Sequence, residues 1–162
     1  MDIRPSTIDD VPAVARLLKE NFPPLLRGAY DERTLTEALP IITRPQPELI
    51  GSGRYWTAWD GDELLGAGGW SVGGPQGQET GSWGHVRHFI TSRNHLRRGV
   101  ASAIMQNAMV QARAAGVAGL HCFSTLTATA FYRTMGFIGE KQFRIAFPEG
   151  PRFPAVEMSQ PL

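Results

Sequence analysis

A single cysteine, Cys122, is all the thiol chemistry this sequence holds, which excludes an internal disulfide. No stretch approaches the ~20 apolar residues that a membrane-spanning helix needs. Charge of one sign is scarce too: 16 Lys and Arg against 15 Asp and Glu leave a formal net charge of +1. A chain so balanced has no overall attraction to nucleic acid or to an anionic membrane, and neither is expected as a partner. Residues 1–10 carry acids and no long apolar run, unlike a secretory leader, so a cytoplasmic location is expected. His95 and His121 stand at no metal-ligand spacing from other histidines, cysteines or acids, and no metal is expected. Internal repeats and low-complexity segments are missing as well. What remains is an ordinary globular composition, 42% hydrophobic and 19% charged over 162 residues. That length suits one domain, expected to span residues 1–162 around one core.

Strand and helix signals alternate along the chain. Asp2-Ile3-Arg4-Pro5 predicts a short strand that Pro5, lacking a donor, places at an edge or an end. Thr7-Ile8-Asp9-Asp10 supplies a cap and early acids for a helix with Pro12 in its first turn, where the missing N–H is harmless. Val11, Val14, Ala15 and Leu18 recur at helical spacing, and Asn21-Phe22-Pro23-Pro24 is expected to stop that helix. A second helix is expected over 31–39, ended by the proline-bearing stretch 40–47.

Residues 54–60 read as an aromatic strand, Asp60-Gly61-Asp62-Glu63 as a hairpin turn, and 64–71 as the partner strand. Gly66, Gly68 and Gly69 point to a bulge or a close backbone approach there. A polar Gly/Gln loop is expected over 73–82, then a strand over 84–91. A helix is predicted over 98–115, with Val100, Ile104, Ala108 and Ala112 in one row and Ala101, Met105 and Met109 in the next. Gly116 closes it. A strand over 117–124, a short helix over 128–135 and strands over 137–147 and 152–158 complete the chain. The order β-α-α-β-β-β-α-β-α-β-β describes an α/β or α+β sheet with helices packed on it.

Chemistry concentrates in the strand, loop and helix of residues 84–102. The amides at a helix N-terminus lack partners and carry partial positive charge, so they can bind an anion. Gly99 lets the backbone approach a bulky ligand, small Ala101 and Ser102 keep that approach open, and Arg97 and Arg98 add charge-assisted bonds to phosphate. No Ser, Thr, Asp or Asn stands directly before this helix, which suits capping by a ligand. A basic helix start with a loop glycine is the alternative at this point. The segment is neither a P-loop, for want of Gly-Lys-Ser/Thr, nor a three-glycine dinucleotide fingerprint.

Downstream lies Thr127-Ala128-Thr129-Ala130-Phe131-Tyr132, followed by Gly136-Phe137. Together the two segments resemble the GNAT superfamily of N-acetyltransferases. That family's first signature ends in Arg/Gln-x-x-Gly-x-Gly/Ala; Gly99 and Ala101 match it, while Leu96 departs from it. Its second signature is matched by Ala128, Phe131, Tyr132, Gly136 and Phe137, with Thr127 replacing an asparagine. The resemblance runs from Ile3 to Met158. It implies a mixed, mostly antiparallel central sheet of about seven strands flanked by about four helices. It also implies an enzyme that transfers acetyl from acetyl-CoA, its cosubstrate, to a primary amine. A small-molecule acceptor is expected. A protein lysine or N-terminus, or a non-catalytic acyl-CoA sensor, is the alternative. A homodimer is possible by the same resemblance.

Residue roles follow from the same likeness. The loop amides 97–102, through Val100, would grip the coenzyme's pyrophosphate, with Thr127 and Phe131 nearby. Backbone amides of Phe89, Ile90 and Thr91 would hold the acetyl carbonyl where two strands splay. Tyr132 would protonate the departing thiolate. His85 is favoured as general base because it shares strand parity with Phe89 and Thr91, unless a bulge intervenes; His88 or water is the alternative. Residues 22–31 and 147–153 are expected to wall the acceptor pocket, with Trp70, Glu79 and Trp83 nearby. Acids such as Asp31, Glu79 and Glu149 would suit a cationic amine.

Overall fold

Gly61, at φ 58°, turns the chain between the strands β2 (Tyr55–Asp60) and β3 (Glu63–Ser71). In the computed structural model, which describes residues 1–77 and 79–162, this hairpin sits within one seven-stranded sheet. The other strands are β1 (Asp2–Pro5), β4 (Trp83–Thr91), β5 (Gly119–Ser124), β6 (Ile138–Ala146) and β7 (Arg152–Pro161). Their spatial order is β1-β2-β3-β4-β5-β7-β6. Every neighbouring pair is antiparallel except β4 with β5. The class is therefore the mixed, mostly antiparallel one that the sequence implies. Gln78, inside the expected loop 73–82, lies outside the described residues.

Helices cover both faces. On one, α1 (Val11–Leu26), α2 (Glu32–Ile42) and α3 (Pro47–Ile50) pack Val14, Leu18, Ala38 and Ile50 against Tyr55, Ala67 and Ile90 of the sheet. On the other, α4 (Val100–Ala114) and α5 (Thr129–Thr134) set Met105, Ala108 and Tyr132 against Trp70, Val86, Leu120 and Met158. Among the described residues the α-helices number five, against about four expected. The extra one is the single turn α3, which begins at Pro47, a residue suited to a first helical position.

The expected stop at Pro23 and Pro24 does not occur: α1 continues to Leu26. Leu18, Phe22 and Leu26 form a row at i+4 spacing and all are buried, so the apolar face extends past the prolines. The hydrogen bonds lost belong to the carbonyls of exposed Lys19 and Glu20, which water can satisfy. α2 likewise passes Pro40.

Glycines bring α4 close to β3. A Cβ on Gly66 would lie 2.7 Å from Val100 Cγ1, and one on Gly68 would lie 2.5 Å from the Phe89 ring. The close approach expected from the glycines is thus present, and so is the bulge, where β3 and β4 shift register between Ala67 and Gly69. At that bulge His88 adopts φ 53°, a conformation that costs a non-glycine residue ~1–3 kcal/mol. Tyr55, with 0% exposure, donates from Oη to the His88 carbonyl at 2.8 Å and holds it there.

Tyr55→Phe leaves that carbonyl without its partner. The unfolding free energy should fall by about 1–3 kcal/mol, read as a lower urea midpoint at unchanged slope. A midpoint equal to that of the parent protein would show that the bulge is held by other means.

Candidate active site

The β4–β5 ladder is short. It pairs Trp83, Gly84 and His85 with Gly119, Leu120 and His121, and then ends. Beyond it β4 stays with β3 as far as Thr91, whereas β5 stays with β7 as far as Ser124. A cleft opens where the two strands part. Its volume is about 1370 Å³, above the roughly 300–1,000 Å³ usual for one small ligand, so two reactants can occupy it together.

The bulge at His88 decides which side chains face which half of this cleft. Strict alternation would put His85 with Phe89 and Thr91. Instead the His85 ring meets Phe123 of β5 at 4.5 Å, and the Phe89 ring lies over Gly68, 6.2 Å from Phe131 of α5. Ile90 returns to the core under α1. The inserted residue thus breaks the parity on which His85 was favoured. His88 Nε2 lies 2.7 Å from the Ile42 carbonyl at the end of α2, and a carbonyl can only accept. Nε2 therefore carries the proton, and neutral His88 leaves Nδ1 as its acceptor nitrogen.

The opposite half is built at the start of α4. Asn21 of α1 accepts from the Arg93 amide at 2.8 Å and anchors the loop after β4. Arg97 (φ 59°) and Gly99 (φ 78°) then turn the chain through left-handed conformations into the helix. Gly99 occupies the N-cap position, no side chain caps α4, and nothing lies within 4 Å of where a Cβ on Gly99 would project. Across the cleft the Thr125 and Thr127 hydroxyls stand 3.3 Å apart. Phe89, Ile90, Thr91, Arg97, Gly99, Val100, Ala101, Ser102, Thr127 and Phe131 all line this one cleft, together with Tyr132 and His85. Arg98 does not: it is exposed and lies outside the lining. Successive residues in so tight a turn diverge, so only Arg97 reaches the cleft.

Burial sets the electrostatics. His85 is 3% exposed, and loss of solvent, followed by the charges of Arg87 and His121, pushes its pKa down to about 3. It is therefore neutral and a very weak base, against the expectation that it removes a proton from an amine. Tyr132 is buried against Phe131 and Phe137, and desolvation raises its pKa well above the usual phenol value. Cys122, also on the lining, is pushed up to about 12 by desolvation.

The acceptor half departs from expectation in its charges. Phe22 and Leu26 of the expected first wall, and Phe147 and Phe153 of the expected second, do line the cleft. Trp70, Glu79 and Trp83 do not; Trp70 is core at 2% exposure, with Nε1 bonded to Gln111. Asp31 is occupied in capping α2 through the Thr34 amide at 2.7 Å, and Glu149 is paired with Arg44 at 2.7 Å. Neither Asp31 nor Glu149 is thus left free to receive a cation as expected. Sequence reasoning also missed a wall, the α2–α3 connection from Ile42 to Glu48, and a cation on the lining, Arg87. Prolines 45 and 47 read only as a helix end; Arg87 carried a signal, as a lone cation within a strand of apolar and histidine residues.

The sequence pattern of the acetyltransferase (GNAT) family matches residues 11–137. The chain belongs to that family. Over 62 residues it is 34% identical to the uncharacterized N-acetyltransferase YsnE of Bacillus subtilis (strain 168), a match covering 38% of this chain and 37% of that relative's length. Its fold is similar to a GCN5-related N-acetyltransferase from Rhodopseudomonas palustris, with TM-score 0.77 and 15% identity over 99% of this chain and 95% of that one. The PaiA N-acetyltransferase of Thermoplasma acidophilum, solved with coenzyme A, gives TM-score 0.72 and 12% identity over 99% and 98% of the two chains.

Members of the GNAT family depend on acetyl-CoA, and two observations test whether this chain's residues fit it. The uncapped amides of α4, with open space beside Gly99, suit a pyrophosphate. The edge of β4 that β5 abandons after His85 suits an extended amide-bearing arm. Both fit. Among the described residues no group of His, Cys, Asp and Glu is placed to hold a metal ion. Among the same residues no helix is long and apolar enough to cross a membrane.

Gly99→Val puts a branched side chain at φ 78°, a strain of ~1–3 kcal/mol, and narrows the approach to the amides. The acetyl-CoA dissociation constant should rise ~10-fold or more by calorimetry; an unaltered value would remove this loop from the binding site. His85 generates a second expectation. The unfolded chain binds a proton below pH 6.5 that folded His85 refuses until about pH 3. Its contribution to stability is therefore complete above pH 6.5 and lost progressively as pH falls toward 3. His85→Asn should flatten the melting temperature over that interval, and parallel curves for the two proteins would contradict this burial.

Proposed function

We propose that this chain transfers the acetyl group of acetyl-CoA to the amine of a small molecule, with both reactants held in the cleft at once. The observation that carries this reading is the parting of β4 from β5 opposite an uncapped helix N-terminus. That gap joins an anion site to a second, apolar-walled compartment. Acetyl-CoA supplies the acyl group as a thioester. The amine nitrogen forms the new C–N bond and the C–S bond breaks with its electron pair on sulfur. The proton lost from nitrogen balances the one that sulfur gains.

The chain's residues divide this work. The amides of residues 99–102 and Arg97 hold the diphosphate, and the unpaired β4 edge at 89–91 donates to the carbonyl oxygen. Thr127 and Phe131 bound the arm from α5. Tyr132 holds a proton at Oη and gives it to the leaving sulfur. A phenol with a raised pKa is a poor acid beside an aqueous thiolate, but Cys122 shows what the same surroundings do to a thiol. Burial lifts its pKa to about 12, so in these surroundings the phenol and a thiol shift in the same direction. His85 is too weak a base to deprotonate an ammonium of pKa ~10. The amine's proton leaves through water in the open cleft, and His85 serves as a neutral packing group.

Free-thiol release from acetyl-CoA, measured over small amines, peptides and buffer alone, tests this proposal. Release with small amines and not with peptides is expected. Release with peptides alone would move the acceptor to protein, and silence with acetyl-CoA bound would turn the domain into a sensor. Tyr132→Phe should lower turnover ~10²–10⁴-fold with acetyl-CoA affinity retained; unchanged turnover would take the proton-donor role from Tyr132.

A further inference from the structure

Arg87 sits one residue before the bulge, on the lining of the acceptor compartment. Its partners are neutral: Nη1 donates to Ser71 Oγ at 3.2 Å, and Nη2 donates to Gln46 Oε1. A guanidinium has five N–H donors, and among the described residues these bonds leave Nε–H and two terminal N–H groups without a protein acceptor. No carboxylate pairs with Arg87 among the described residues. Of the acids on the cleft, Glu149 is taken by Arg44, and Glu48 is exposed and makes no ion pair with Arg87. Its titratable neighbours within the site, His85 and His88, are buried and neutral, and Tyr55 keeps its phenol proton. Desolvation already works against the arginine's charge. A cation removed from water without a counter-ion is costly, and an anionic ligand relieves that cost.

The same cation repels an ammonium, so the reacting amine belongs away from the guanidinium, toward the gap between β4 and β5. Apolar Phe22, Leu25, Ile42, Pro45 and Phe147 line the same cleft, as do polar Gln46 and Glu48. We infer that Arg87 receives the carboxylate of the acceptor, and that the acceptor is an α-amino acid with an apolar side chain. This rests on the acyl-transfer reading and narrows it. An α-amino acid carries carboxylate and amine on one carbon, so a carboxylate fixed at Arg87 directs the amine to the gap. A peptide N-terminus lacks a carboxylate at that position and is disfavoured.

Matched pairs separate the carboxylate from everything else: L-methionine with 3-(methylthio)propylamine, L-phenylalanine with 2-phenylethylamine, and L-leucine with isoamylamine. Thiol release should favour each acid over its amine by ~10-fold or more in kcat/KM. Arg87→Gln should lower kcat/KM for the acids ~100-fold, through KM, and bring the acid-to-amine ratio near one, with the acetyl-CoA dissociation constant unchanged. Arg87→Lys should restore part of the ratio. Equal rates within each pair, or a ratio that survives Arg87→Gln, would overturn the inference while leaving acyl transfer standing. Calorimetry with N-acetyl-L-methionine and N-acetyl-L-phenylalanine on the CoA-loaded protein separates the two claims. Binding abolished by Arg87→Gln without any thiol release would uphold Arg87 and defeat the acyl-transfer reading. Neither binding nor release with any of these acids would overturn the inference itself.

Discussion

Two hydrogen bonds made at His88 govern the geometry on which the cleft depends. Its carbonyl is held by Tyr55 from beneath the sheet, and its ring is tied to the last carbonyl of α2. A strand in the middle of a sheet normally satisfies its backbone on both sides. β4 has to satisfy β3 along its length while releasing β5 partway, and the bulge is where the two demands are reconciled. The left-handed backbone of His88 is unfavourable in isolation. Buried partners on both its polar groups offset that cost, and they link the strand to a helix from the other end of the domain's element order.

The cleft made in this way has neutral walls and few charges. His85, Tyr132 and Cys122 are all driven toward their uncharged forms by the same cause, removal from water. Beside the Arg44–Glu149 pair and exposed Glu48, two further arginines stand on the lining. Arg97 stands at the uncapped helix end, and Arg87 stands in the compartment beyond the bulge. Arg87 donates to Ser71 and Gln46, and among the described residues no carboxylate pairs with either arginine. A low-dielectric surface of this kind strengthens its polar contacts with whatever enters, because little competes for them.

Much of this arrangement was legible in the sequence, and the failures have identifiable physics. Helical spacing in 98–115 and the glycine at 99 marked the helix and its uncapped start because each acts locally, through backbone conformation. The paired signatures around Ala101 and Tyr132 located two sides of the cleft by resemblance. Pro23 and Pro24 misled because proline is unfavourable within a helix, whereas the buried row of Leu18, Phe22 and Leu26 is a tertiary effect that outweighs it. His85 misled for a different reason. Strand parity is a reliable guide only in a regular strand, and the residue that breaks it, His88, shows nothing unusual in sequence. Asp31 and Glu149 looked available for a ligand because a sequence does not disclose that one caps a helix and the other meets Arg44 from 105 residues away. Arg87 escaped notice for the converse reason, since what distinguishes it is the want of a carboxylate around it.

The glycines of β3 have a consequence that reaches beyond packing. Because Gly66 and Gly68 carry no side chains, Val100 and Phe89 settle directly onto the strand, and the first turn of α4 is held at one height above the sheet. A side chain at Gly66 would press on Val100 in the first turn of α4, and one at Gly68 would press on the Phe89 ring. The compartment beyond the bulge is lined instead from the α2–α3 connection and the β6–β7 hairpin. One side of the cleft therefore rests on a strand stripped of side chains, while the other rests on a connection and a hairpin that carry theirs.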